Sequence, residues 1–187
     1  MGTDVVARKT FAHLKGEWRP AYFYAQRWFS GMANRFTNIE LAVTSEWRGL
    51  GDRKWLPLIV KVSFETVPMQ FYFLPLGLMF DDIEEQEYNS LSPWMLARVR
   101  RHAKVGILYD ALGDDAFCHY LLNAMKNGEP LPFGTGEMKF TKTAEFPDIS
   151  KQLAVDRPGL KQSNTSVIFG DQLILKVYRR VQEGINP

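Results

Sequence analysis

The 187-residue sequence has one cysteine, Cys118, so no intramolecular disulfide can close and no metal site can be built on several thiolates. A reducing, cytoplasmic setting suits such a chain. Histidine is scarce as well. His13, His102 and His119 show no HExxH spacing, and no neighbouring cysteine or histidine completes a ligand set; each reads as structural or solvated. Excess charge is missing, since 23 lysines and arginines face 21 acidic residues for a net +2. That gives no field to concentrate nucleic acid or an anionic membrane, and neither is expected as a partner. Long apolar runs are absent too. The longest, Phe71 to Phe80, is broken by Pro75 and Gly77 and is about half the ~20 residues needed to span a bilayer. The first thirty residues carry Asp4, Arg8, Lys9, Lys15, Glu17, Arg19 and Arg27, leaving no secretory core. There is no internal repeat or low-complexity tract.

What is present is 45% hydrophobic and 13% aromatic content, enough to bury a core in one domain or two small subdomains. Pro20 to Phe29 opens with proline at a plausible first helical position and carries Phe23, Arg27 and Trp28 at amphipathic spacing; Gly31 ends it. Asn38 to Trp47 alternates Ile39, Leu41 and Val43, then two glycines and charge reverse the chain into Trp55 to Glu65, an antiparallel hairpin. A third extended run comes next, from Met69 to Leu74. Asp81 to Pro93 is acidic and turn-rich, which places a subdomain boundary there: 1–88 as a cap, 89–187 as an intermediate subdomain. Beyond it, Arg98 to Lys104 fits neither helical nor strand period cleanly. Asp115 to Asn127 does read as a helix, with Asp114 or Asp115 as cap, a stripe of Phe117, Leu121, Leu122 and Met125, and Gly128 as left-handed stop. Glu137 to Phe140 and Ser166 to Tyr178 read as strands. The fold class is therefore α+β: a small antiparallel sheet packed with helix, then a β-rich subdomain.

Lys161 to Arg180 carries the chemistry. Read as a two-residue turn at Gly170-Asp171, Phe169 faces Gln172 and Thr165 faces Lys176. Alternation then puts Val167, Phe169, Ile174 and Lys176 on one face and Ile168, Leu173, Leu175 and Val177 on the other. Val167 and Ile174 would form an apolar shelf ending in the Lys176 ammonium, with Ser163, Asn164, Thr165 and Ser166 gathered beside it. A purine floor, a cation and several hydroxyl and amide donors are what a nucleoside triphosphate needs. An ordinary edge hairpin with a solvated lysine satisfies the same spacing.

Gln162 to Val167, the turn Gly170-Asp171, Leu173 to Lys176, Arg179-Arg180 and Gly184 to Pro187 resemble the nucleotide-binding hairpin of maltokinases, including those fused to trehalose synthase. Gln26 to Phe29 is similar to that family's N-terminal cap, and Tyr109 to Asp114 to its entry into the intermediate helix. The resemblance implies the first lobe of a kinase-like fold, with Lys176 on the phosphates of ATP and Ser163 to Ser166 where protein kinases keep a glycine-rich loop, here without those glycines. It also implies that the catalytic aspartate, the Mg²⁺ ligands and most of the maltose site belong to a C-terminal lobe downstream of Pro187. The strand pattern of Gln172 to Val181 lies close to the end of the chain, so we expect a boundary within a longer polypeptide. This chain by itself should contribute no catalytic or metal-ligating residue.

Other clusters read more plainly. Asp81-Asp82 and Asp114-Asp115 suit turns and helix starts. Arg98, Arg100, Arg101 and Lys104 lack interleaved aromatics and suit a solvated face. Trp28, Phe29, Trp47, Trp55 and Trp94 offer a carbohydrate-stacking surface, but their mixed positions within apolar runs suit core packing better. A rival function stays open: a non-catalytic module that docks a fused or partner enzyme of α-glucan metabolism, trehalose synthase being one, through aromatics around Trp47 and Trp55.

Overall fold

The computed structural model describes residues 20–31, 33–50, 53–80, 84–149, 151–158 and 164–184. Pro20 opens helix α1 (Pro20–Ala25), where its missing N–H is no loss. The helix stops four residues short of expectation because tight turns succeed it, with Gln26 N–H donating to the Phe23 carbonyl and Phe29 N–H to that of Gln26. These turns let the consecutive Trp28 and Phe29 both go under, where a continued helix would separate them by about 100°. Phe23, Trp28 and Phe29 meet edge to face, Phe23 lying 5.3 Å from Phe29 and 6.0 Å from Trp28. Phe23 is wholly buried, and burial of one such ring is worth about 1.5–3 kcal/mol.

The main sheet contains β1 (Phe36–Thr44), β2 (Trp47–Arg48), β3 (Lys54–Phe64), β4 (Gln70–Phe80), β5 (Met95–Arg101) and β6 (Lys104–Asp110). Its order is β1-β3-β4-β6-β5, all antiparallel, with β2 extending the β1 side of β3. The expected hairpin is β1 and β3. The third extended run is longer than expected, because β4 continues through Pro75. That residue faces Pro57 on β3, and each proline sits at a seam. Ser45 N–H reaches the Pro57 carbonyl between β1 and β2, while β4 changes neighbour around Pro75, from β12 (Arg180–Val181) to β6. A strand residue without an N–H is harmless where its outward side has no continuous partner.

The ambiguous Arg98 to Lys104 stretch is the β5–β6 hairpin, turned at His102 with φ 55°. The expected division after residue 88 falls inside this sheet, since β5 and β6 complete it, and the acidic segment before it holds helix α2 (Glu85–Leu91). Leu58, Val60 and Val62 of β3 join Tyr72, Leu74 and Leu76 of β4 under the α1 aromatics.

Helix α3 (Asp115–Asn127) has the expected bounds, capped by Asp114 and stopped by Gly128 at φ 66°. It covers a second cluster with Trp47, Trp55, Leu112, Val167 and Phe169. Trp47 and Trp55 are each 1% exposed, their indole N–H groups bonded to the Pro132 carbonyl and to Asp114. Core packing thus claims both, and the aromatic docking surface expected around them is not on the outside. Around α3 lie a short hairpin, β7 (Leu131–Phe133) with β8 (Gly136–Met138), and a three-stranded sheet, β11-β10-β9, of Leu173–Val177, Thr165–Phe169 and Val155–Asp156. The architecture is α+β, as the sequence implied. Among the described residues, no helix is long and apolar enough to cross a membrane.

Candidate functional site

The hairpin β10–β11 carries the predicted site residues Thr165, Ser166, Val167, Ile174 and Lys176, with Asn164 just before it. Its loop has three residues, Gly170, Asp171 and Gln172, not two: Phe169 pairs with Leu173, Val167 with Leu175, Ser166 with Lys176 and Thr165 with Val177. Gly170 supplies φ 56°, its N–H donates to the Ala154 carbonyl at 2.8 Å, and Gln172 N–H closes on the Phe169 carbonyl at 3.2 Å. One extra loop residue re-pairs the faces. The odd-numbered apolar residues of both strands now point together into the core, with Val167 and Phe169 fully buried and Leu173, Leu175 and Val177 packed beside them.

The opposite face is therefore Ser166, Ile168, Ile174 and Lys176. Val167 leaves the expected shelf for the core, and Ile168, which sequence reasoning placed on the buried side, is the cross-strand partner of Ile174. Ile174 is 59% exposed and Lys176 is exposed, so an outward ledge of Ile168 and Ile174 ends in an ammonium, while Ser166 across from it is 8% exposed. Directly opposed side chains of an antiparallel pair stand about 4.5–5.5 Å apart at Cβ. Ser166 Oγ donates to Asn164 Oδ1 at 3.1 Å. Ser163 lies outside the described residues.

A cleft of about 420 Å³ runs beside this polar loop, with Asn164, Thr165 and Ser166 on one wall and Gln26, Arg27 and Trp28 on the other. Two segments singled out separately in the sequence thus meet across one groove. Lys176, Val167 and Ile174 do not line it. Arg157 also faces it, but its guanidinium is engaged: Nε donates to the Leu112 carbonyl at 2.7 Å, Nη1 pairs with Asp115 at 2.8 Å, and the group lies 5.7 Å over the Trp94 ring. Arg157 also approaches the thiol of Cys118 at 3.6 Å. Burial nevertheless pushes that thiol up to about 12, which leaves no reactive thiolate.

Beneath the cleft is a residue that local sequence reasoning did not assign. Arg179 is fully buried and pairs with Asp110 at 2.6 Å; Tyr22 adds its hydroxyl to the same carboxylate at 3.3 Å. Burial, then the Asp110 charge, holds the Tyr22 phenol well above its ordinary range. The only local hint was the resemblance at Arg179-Arg180; the pairing with Asp110 spans 69 residues. Among the described residues, no group of three or more His, Cys, Asp or Glu is placed to hold a metal ion.

Residues 22–114 match the family model of the maltokinase N-terminal cap domain. The chain carries a maltokinase N-terminal cap. The match begins at the cleft-lining Tyr22, takes in strands β1 to β6 of the main sheet, and ends on Asp114, the residue that caps α3. It includes Asp110, so the cap supplies the acidic half of the buried ion pair, while the hairpin and Arg179 lie beyond the match.

Proposed function

We propose that the chain is the cap and nucleotide-facing part of an ATP-dependent maltokinase, serving trehalose and α-glucan metabolism, including glycogen synthesis. The full enzyme moves the γ-phosphoryl group of ATP to the anomeric hydroxyl of maltose, giving maltose 1-phosphate and ADP. A base on a C-terminal lobe of the same polypeptide takes the hydroxyl proton, and that lobe also supplies the Mg²⁺ ligands. On this reading Lys176 neutralises phosphate charge, Ser163, Asn164, Thr165 and Ser166 form the polar loop beside the phosphates, and Ile174 with Ile168 gives the adenine ring an apolar floor. The carrying observation is the exposed Lys176 on the same outward face as Ile174, with Ser166 as its cross-strand partner, in a chain whose residues 22–114 match a maltokinase cap.

The test is ATP-dependent formation of maltose 1-phosphate by the polypeptide that contains this chain, followed by phosphorus NMR. Lys176→Ala should lower kcat/KM on the order of 100-fold, the range found when one charge-stabilising donor is removed, with the melting temperature unchanged because the residue is exposed. The 187-residue chain alone should show no turnover and bind ATP weakly at most. Robust phosphorylation by it alone would refute the division of labour.

A further inference from the structure

The sheet β9-β10-β11 and the cap sheet are separate hydrogen-bonded units, so something other than a shared strand must fix the hairpin against the cap. The chain leaves β11 at Val177 and joins the cap sheet as β12, where Arg180 pairs with Tyr72 and Val181 with Phe71. Between them stand Tyr178, 56% exposed, and Arg179, fully buried. The Arg179 side chain touches three strands and the turn after α1 at once. Nη2 meets Asp110 at the end of β6 at 2.6 Å, Nε donates to Thr165 Oγ1 on β10 at 3.0 Å, and Nη1 reaches the Phe73 carbonyl of β4 at 3.5 Å. The plane lies 5.1 Å over the ring of Trp28, beyond α1. Its own carbonyl accepts from Phe73 N–H at 2.7 Å.

A buried ion pair contributes little net stability beyond what a well-packed apolar substitute would give. What the guanidinium offers is a rigid fork with several fixed directions, which a lysine cannot reproduce. We infer that Arg179 is a positioning residue: it locks the β10–β11 hairpin to the cap through Thr165 and Asp110, and thereby sets where Lys176, three residues earlier, is presented. Three of the groups involved, Tyr22, Trp28 and Thr165, also line the cleft, so the cap wall and the hairpin wall of that groove are held by one side chain. The link itself is geometric; its bearing on ATP rests on the kinase reading.

The experiment measures amide hydrogen exchange in the 187-residue chain for the wild type, Arg179→Lys and Thr165→Val. Thr165→Val removes only the hairpin end of the link and leaves the buried charges paired, so it reports even if Arg179→Lys folds poorly. Loss of one hydrogen bond to a charged group should speed exchange across 165–177 by about 10-fold, with β3 and β4 amides unchanged. In the full polypeptide, Arg179→Lys should raise the KM for ATP several-fold while the KM for maltose holds. Unchanged hairpin exchange in both variants, or equal loosening of β3 and β4, overturns the inference, the second result marking Arg179 as general core support. If the wild-type polypeptide does not phosphorylate maltose, the kinase reading falls and the exchange rates decide the link by themselves.

Discussion

Asp114 offers the sharpest test of how the cap is joined to helix α3. Its carboxylate is 5% exposed and meets four groups. Oδ1 accepts from Ala116 N–H at 2.8 Å as the helix cap; Oδ2 accepts from Trp55 Nε1 at 3.0 Å and from the Tyr109 hydroxyl at 3.2 Å. Arg53 stands at 3.4 Å. Asp114→Ala removes a cap worth about 1 kcal/mol and strands two buried donors at about 1.5 kcal/mol each. The Arg53 contact adds little, because its side chain is 37% exposed. The expected loss is about 4 kcal/mol, a large share of the roughly 5–15 kcal/mol that holds a domain together. Asp114→Asn keeps the cap but turns an amide N–H₂ toward the Trp55 N–H, where two donors face each other; only Tyr109 can rotate its hydroxyl to accept. About 2 kcal/mol should go. Urea unfolding, followed by near-ultraviolet circular dichroism of the buried tryptophans, gives both numbers. A loss below about 1 kcal/mol for Asp114→Ala, less than one stranded donor should cost, would show that the carboxylate is not the hub described.

Three further outcomes can be checked on the same protein. Gly128→Ala places a side chain at φ 66° with no heavy atom within 4 Å, so it should cost about 1–2 kcal/mol through backbone strain alone, measured by urea midpoint with the slope unchanged. Burial is the first cause of raised phenol pKa values at Tyr22, Tyr72, Tyr109 and Tyr120. Groups raised in the folded state contribute stability that is complete below the unfolded tyrosine value of about 10 and lost as pH climbs toward the folded values; tyrosinate absorbance should therefore lag in native protein and rise together with alkaline unfolding. The Cys118 thiol, pushed up to about 12, should react with a disulfide reagent at pH 8 at least about 100-fold faster in urea than in the native state.

Local signals carried α3 well. Asp114 and Gly128 are adjacent to the stripe they bound, and both work as the sequence implied. The hairpin register was harder, because a two-residue and a three-residue loop differ by one pairing step. Yet parity held the answer. Val167 and Phe169 are the apolar core-facing pair of β10, Leu173, Leu175 and Val177 are the inner set of β11, and only an odd-length loop can bring these two odd-numbered sets to one face. The α1 boundary failed for a different reason: burying two consecutive aromatics requires leaving the helix, and no local propensity announces that. Arg179 was least legible, since two adjacent arginines after a strand read as surface, and Arg180 does lie there. Its buried role depends on an aspartate and a tryptophan far back in the chain.

The borrowing of β4 by β12 bears on how the protein is made. Phe71 and Tyr72 find their second strand only at Val181 and Arg180, more than a hundred residues later in translation. A nascent chain halted at the end of the cap match therefore shows bare amides along the first half of β4, on the stretch that will receive β12. The edge of a sheet begun early is completed only once that distant strand has emerged from the ribosome.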